Sequence, residues 1–299
     1  MSATHDPARP HSSRDRNELP LAGGLAQKAF TVSHRVNAER LVLLGWSRAI
    51  LLQFAHPLIA AGIDEHSGFR TKPSAAVQRL RHTVHAMLAL TFGTEADHDR
   101  AIKAILAIHC RVNGKLPADV GPFPAGTPYS AEDPDLVLWV HATLIESVPM
   151  FYEMLVAPLT PRERDVYCEQ AAAVAIALHA RERDVPRSWA ALQAYLDEMY
   201  ASGRITVSEQ ARVLAAAILS PPFGLLGAPG TAMNRLLTLG TLPEHVRREY
   251  GFEWTPRDER ALALVVRALR RLRRSLPDRA AKWKAARQLE HRARSAQAA

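Results

Sequence analysis

Three polar residues of one predicted helix, Arg79, His82 and Thr83, have the types and the spacing to act together on a ligand. With about 3.6 residues per turn, they lie on one side of the helix, together with Ala86 and Leu90. The polar groups are thus followed by a small residue and then by an apolar one. A flat, largely apolar ligand with one reactive polar centre would need such a face.

The next predicted helix carries His109 on an apolar stripe with Ile102, Ile105, Leu106 and Val112. A neutral histidine in apolar surroundings is a good axial ligand for haem iron, and an Arg/His/Thr cluster opposite it could handle bound oxygen. The same pattern is also typical of a buried histidine that bonds a backbone carbonyl. The spacing alone leaves both interpretations open.

Apolar positions recur with helical periodicity along most of the chain, so we expect these residues to lie on helices. No alternation typical of a strand is sustained over five residues, and neither a Gly-rich nucleotide motif nor a fixed-period repeat is present. The sequence therefore predicts an all-α protein with a single large helical domain. The predicted helices are near 36–56, 79–92, 96–111, 135–156, 161–179, 187–202, 207–219, 230–240, 257–274 and 278–292.

The composition is that of a soluble protein able to bury a core, since 47% of its 299 residues are hydrophobic and 23% are charged. Cys110 and Cys168 form no metal-ligand spacing and fit a reducing compartment. The first residues lack the basic-then-apolar order of a signal peptide. We therefore expect a cytoplasmic protein.

The most apolar stretch, 41–62, is long enough to span a bilayer. Arg48, Gln53, His56 and Pro57 would be costly there, so the pattern favours a core helix.

The net charge of +8 comes from the C-terminal part of the chain, which has an excess of nine basic residues between Arg257 and Arg294. Such a basic helical tail is most often a solvated face packed on its own domain, although it can also bind phosphate or contact an anionic membrane peripherally. No nucleic-acid motif accompanies it, so nucleic acid is not an expected partner.

Several enzyme classes lose support because their motifs are missing. The sequence has no HExxH, no paired Glu and Glu-x-x-His pattern of a di-iron site, and no GxSxG elbow of a serine hydrolase.

A run of colinear motifs resembles the family of bacterial and fungal oxygenases that includes the rubber oxygenase (latex-clearing protein) and MpaB. The motifs extend in order over nearly the whole folded chain, and each one alone is weak. They are Leu52–Pro57, Ala61–Phe69, Arg79–Thr83, Phe92–Gly93, His109–Gly114, Tyr129–Ala142 and Leu242–Phe252.

This resemblance implies a globin-like helical core that holds a b-type haem through a proximal histidine. The family's proximal histidine follows the Arg-x-x-x-Thr pair by about one helix, which points to His109 as the iron ligand, with His141 as the competing candidate. Arg79 and Thr83 would complete the haem pocket, and together with His82 they are the expected catalytic residues. The implied domains are an arm at 1–28, an oxygenase domain at 29–256 and basic helices at 257–299 packed on the same domain.

Two positions depart from the family pattern. His82 stands where the rubber oxygenase has a lysine able to cap the iron. The family's functional glutamate upstream of the arginine has only Asp64 and Glu65 as nearby counterparts, in an undecided register.

The function expected from the resemblance is haem-b-dependent oxygenation, with dioxygen and an apolar, alkene-containing substrate such as an isoprenoid. The alternatives are a non-catalytic helical haem or lipid carrier and a metal-free protein of the membrane surface.

Overall fold

Helices dominate the computed structural model, which describes residues 30–66, 73–219 and 227–297, with the backbone alone for 73–80 and 297. The structure is 74% helical, and the described residues form 14 α-helices and one two-stranded hairpin. The predicted all-α class is therefore confirmed, while the globin-like character of the core stays a prediction. The predicted arm at 1–28 lies outside the described residues.

The first half of the chain contains six α-helices, a 3-10 helix at Arg40–Gly45 and the hairpin. The helices are α1 (Val32–Ala38), α2 (Trp46–Phe54), α3 (Pro57–His66), α4 (Pro73–Phe92), α5 (Glu95–His109) and α6 (Pro134–Leu155). Strands β1 (Asn113–Lys115) and β2 (Pro128–Ser130) pair antiparallel inside the long segment that separates α5 from α6.

A short helix near 244–249 was not predicted, and the helix predicted near 278–292 is wrong as one element, because the chain breaks at Lys282 and Trp283. The second half adds eight α-helices. They are α7 (Pro161–Ala177), α8 (Trp189–Ala201), α9 (Glu209–Leu219), α10 (Gly227–Thr241), α11 (Glu244–Glu249), α12 (Pro256–Ser275), α13 (Asp278–Ala281) and α14 (Lys284–Gln297). A 3-10 turn at Glu182–Asp184 precedes α8.

The helix predicted near 36–56 is wrong as one element, because the chain is interrupted at Glu39. Glu39 has extended backbone angles, forms a bridge with Lys282, and receives two hydrogen bonds from Arg273 at 2.6 and 2.7 Å. A carboxylate that is 2% exposed needs such a partner, and the partner lies near the other end of the chain. The chain therefore resumes as the 3-10 helix and α2.

Helices α2 and α3 meet at a sharp corner. The amide of His56 bonds the carbonyl of Gln53, which leaves the Leu52 carbonyl without its usual helical donor. The indole of Trp139, on α6, donates to that Leu52 oxygen at 3.1 Å. A buried polar group is thus satisfied across two helices, and Pro57 begins the next one.

The part of the chain that the structure describes contains no single helix with the length and apolar composition to cross a membrane. The consecutive segments Arg40–Phe54 and Pro57–His66 meet those criteria only together, with a 107° bend between them.

The centre of the core contains a buried charge network around Arg48, which is 1% exposed. Its guanidinium donates to the Glu146 carboxylate and to the Ser147 hydroxyl, both at 2.7 Å, and to the Thr241 carbonyl at 2.7 Å. These bonds join α2 to α6 and to the last residue of α10. Arginine stays charged at any ordinary pH, so its burial requires these acceptors.

The C-terminal helices pack on the helices that surround this centre. Helix α12 packs against α6 and α10, and α14 packs against α1 and α4. Ala286 and Leu289 of α14 lie with Phe92 and Ala38 in one apolar cluster.

We expect Glu146→Gln to lower the free energy of unfolding by about 3 kcal/mol, because it leaves the Arg48 charge buried without its counter-ion. The control is Glu169→Gln, which removes the exposed pair with Arg187 and should cost less than about 1 kcal/mol. Urea unfolding followed by circular dichroism measures both, and equal losses would contradict a special role for the buried pair.

Candidate functional site

His109 lies in the last turn of α5, a helix that begins at a Thr94–Asp97 capping box. It is half-buried, and its Nδ1 atom is buried without a hydrogen-bond partner. Burial lowers the pKa of His109, while the Glu132 carboxylate acts in the opposite direction and His179 in the same direction. The imidazole is therefore neutral at neutral pH, with a ring nitrogen that no group in the described part of the chain uses.

His141 lies in the middle of α6, whose start is fixed by the Asp133 cap and by Pro134 at the first helical position. It is 9% exposed, and its Nε2 atom is buried without a hydrogen-bond partner. Burial lowers the pKa of His141 to about 4. His141 is thus a second neutral imidazole, more deeply buried than His109.

Helix α4 carries the predicted polar face and packs against α5, α1 and α14. The side chain of Arg79 lies outside the described residues. His82 and Thr83 are exposed, whereas Ala86 and Leu90, on the same side of the helix, are half-buried. The polar residues of the predicted face are therefore exposed to solvent, while its apolar residues, nearer the end of α4, are half-buried.

The hairpin is held against α3 through Tyr129, which donates a hydrogen bond to the Glu65 carboxylate. Burial, followed by this bond and the carboxylate charge, raises the pKa of Tyr129, so the phenol stays protonated and donates. A Cβ at Gly114 would lie 2.4 Å from the Tyr129 hydroxyl, so only glycine permits this close approach. A ring nitrogen of His66 also lies 3.1 Å from the Asn113 carbonyl oxygen.

These contacts bear on the upstream acid that the family resemblance implies. Glu65 is exposed and is bound to Tyr129, which gives it a clear structural task. Asp64 is half-buried. Glu65 cannot leave Tyr129 without weakening the attachment of the hairpin.

His56, at the corner between α2 and α3, lies in the Leu52–Pro57 motif of the sequence but was given no role in the predicted site. It is fully buried, neither ring nitrogen has a hydrogen-bond partner, and its ring centre lies 5.3 Å from that of Phe123. Burial lowers its pKa to about 3, with Arg204 acting in the same direction and Asp135 against it. The sequence signal was the adjacent Pro57, which places His56 at a helix end but does not reveal its burial.

The described residues form no group of three or more His, Cys, Asp or Glu side chains arranged to hold a metal ion. A haem needs less from the protein, since its porphyrin supplies four nitrogens and the chain need supply only an axial ligand. A neutral imidazole with a partnerless ring nitrogen in apolar surroundings is such a ligand. His56, His109 and His141 each offer such a nitrogen, and His109 and His141 are the two that were predicted as ligands.

Comparison with known proteins agrees with the motifs. Residues 34–271 match the family model described as ER-bound oxygenase mpaB/B′/rubber oxygenase, catalytic domain. The chain is also similar to uncharacterized proteins of Mycobacterium bovis and Mycobacterium tuberculosis, each 27% identical over 237 residues that cover 77% of this chain and 88% of the relative. No solved structure matches the chain.

The buried histidines predict how stability depends on pH in the haem-free protein. A histidine whose pKa is lowered by folding contributes nothing above its ordinary value of about 6.5, and it costs stability below that value, because only the unfolded chain then gains the proton. Stability should therefore fall between pH 7 and pH 5. His141→Leu should reduce this fall by about 2 kcal/mol, as measured by urea unfolding at the two pH values.

The control for this prediction is the same comparison between pH 8 and pH 7, where the histidine is neutral in both states. Any difference in stability between His141→Leu and the wild type should then be the same at both pH values. An unchanged fall between pH 7 and pH 5 in the variant would show that His141 is not a buried neutral group.

Proposed function

Because the chain belongs to the family of mpaB/B′ and rubber oxygenase catalytic domains, we propose that it is a haem-b-dependent oxygenase acting on an apolar alkene. The family match covers most of the chain and establishes an oxygenase catalytic domain, hence an oxidoreductase. It favours catalysis over the alternative of a non-catalytic haem or lipid carrier. Our proposal goes beyond the family match in three respects, which are the haem cofactor, the substrate class and cleavage of a carbon–carbon double bond.

The observation that carries the haem proposal is the neutral imidazole of His109. Its Nδ1 atom is buried and has no partner, and burial keeps the ring unprotonated at neutral pH. It also occupies the histidine position of the His-x-x-Val-x-Gly motif that this chain shares with the family. We assign His109 as the axial ligand and retain His141 as the competing one.

When bound, haem supplies the redox-active iron on which the oxygenase chemistry depends. The chain's own part is to hold and surround it. His109 offers a nitrogen lone pair, and the Arg79 guanidinium is a permanent cation that can hydrogen-bond a polar oxygen of the reactants. The Thr83 hydroxyl can donate or accept beside it, and His82 can hold or move a proton.

The overall reaction proposed is balanced without a further reductant. The carbon–carbon double bond of the alkene and the bond of dioxygen break, two carbonyl bonds form, and each product fragment keeps one oxygen atom. An apolar substrate is supported by the half-buried Ala86 and Leu90 on α4 and by Ile105 on α5. An isoprenoid combines such a surface with a reactive double bond.

A cytoplasmic location stays a prediction. So does peripheral contact between the basic C-terminal helices and an anionic membrane.

Axial ligation predicts a specific pattern of haem binding. The purified protein should carry about one b-type haem per chain, seen as a Soret band. His109→Gly should lose haem, because the iron loses its protein ligand, and added imidazole should restore the band by filling the space left by the side chain. Rescue by imidazole would separate ligand loss from misfolding.

Matched variants test the other assignments. His141→Ala should keep haem, with a stability cost of about 2–4 kcal/mol from the cavity. His82→Ala should keep haem with an altered spectrum if His82 reaches the iron, and Arg79→Ala should keep haem but lose turnover. Haem lost in His141→Ala and kept in His109→Gly would transfer the axial role to α6.

Dioxygen uptake separates an enzyme from a carrier. With an alkene-bearing apolar substrate, the haem-loaded protein should consume one dioxygen per double bond and yield two carbonyl fragments, identified by mass spectrometry. The Arg79→Ala variant, loaded with the same amount of haem, is the control and should bind without turnover. If every compound of a broad panel of terpenoids and polyisoprenes were recovered unchanged, the result would favour a non-catalytic carrier.

A further inference from the structure

One face of α14 carries three cationic side chains, Lys284, Arg287 and Arg292, with Gln288 and His291 beside them. Lys284, Arg287, Gln288, His291 and Arg292 recur at helical spacings of three and four residues, so they lie on one side of the helix. They line an open cavity of about 600 Å³. The apolar face of the same helix, with Ala286 and Leu289, packs on the domain, which leaves the cationic face open.

No acidic side chain of the described residues neutralises this face. Glu290, which follows Leu289 on the same helix, is occupied by Arg294 and by Lys282, the latter at 3.5 Å. No hydrogen bond or ion pair joins a described acid to Lys284, Arg287 or Arg292. The positive charges of the cavity are therefore available to a ligand.

Arg287 supplies an independent sign of a missing acceptor. Its side chain is half-buried, and its Nε–H is buried without a hydrogen-bond partner. Buried donors are nearly always satisfied, and no described group of the chain accepts from this one. An acceptor added beside the cavity would be an anion, because Lys284 and Arg292 carry positive charge.

We propose that the cationic face of α14 binds a ligand through its phosphate groups. Guanidinium groups bond two phosphate oxygens at once, and the two arginines with Lys284 match a ligand that carries more than one negative charge. The site lies beyond residue 271, where the family match ends, and it shares no residue with the oxygenase site proposed above. Through its packing on α4, α14 nevertheless contacts the helix that carries His82 and Thr83.

The phosphate can come from a small molecule or from a lipid headgroup, and two arms of one experiment separate these sources. In the first arm, titration calorimetry measures pyrophosphate binding to the full chain. The double variant Arg287→Gln/Arg292→Gln should bind more than about tenfold more weakly, because two charge-assisted contacts are lost. Glutamine keeps the helix propensity, and circular dichroism checks that the variant is folded.

The charge-matched control is Arg267→Gln/Arg271→Gln on α12. These arginines are exposed, have no hydrogen bond or ion pair with any described residue, and do not line the cavity. The control removes the same charge and should bind pyrophosphate like the wild type.

In the second arm, the same three proteins are sedimented with phosphatidylcholine vesicles that contain phosphatidic acid. If the wild type binds vesicles but not pyrophosphate, and only the α14 variant loses vesicle binding, the phosphate comes from a lipid headgroup. Equal losses in the α14 and α12 variants would show attraction to diffuse positive charge. That result, or no binding in either arm, would overturn the proposal.

Discussion

The buried ion pair of Arg48 and Glu146 is the constraint on which the arrangement of the central helices depends. An arginine cannot shed its charge, so α2 can enter the core only where the chain supplies a carboxylate and further acceptors. Glu146 and Ser147 on α6 and the Thr241 carbonyl at the end of α10 meet that need. The rotation of α2 and α6 about their axes is thereby fixed.

That rotation also determines which way the candidate site faces. His141 and Glu146 are five positions apart in the sequence, which places their side chains about 140° apart around α6. The charged network therefore occupies one side of α6 while His141 lies on another, where burial alone accounts for its lowered pKa. A single helix thus separates a charged structural centre from apolar surroundings in which an imidazole stays neutral.

Three buried or half-buried histidines of this chain are neutral imidazoles. His56, His109 and His141 all have lowered pKa values with burial as the largest cause, and each has a buried ring nitrogen without a partner. Leaving such atoms unsatisfied costs stability, and that cost is easiest to understand where a ligand or cofactor uses the nitrogen. By contrast, Glu65 and His66, which lie in a stretch that resembles the oxygenase family, contact the hairpin and therefore have a structural role in this chain.

The sequence by itself determined the helical class, several helix starts and the apolar stripe of His109. The starts of α6 and α7 were predicted near residues 135 and 161 and are confirmed, because the caps at Asp133 and Thr160 depend on residues within one turn of each other. The tertiary structure decided what depends on distant partners. Glu39 interrupts the first helix because Arg273, 234 residues away, binds it, and Arg48 is buried because Glu146, 98 residues away, neutralises it. Periodicity within one helix shows which side is apolar, but a buried charge is stable only once folding brings its partner to it, and no local pattern contains that pairing.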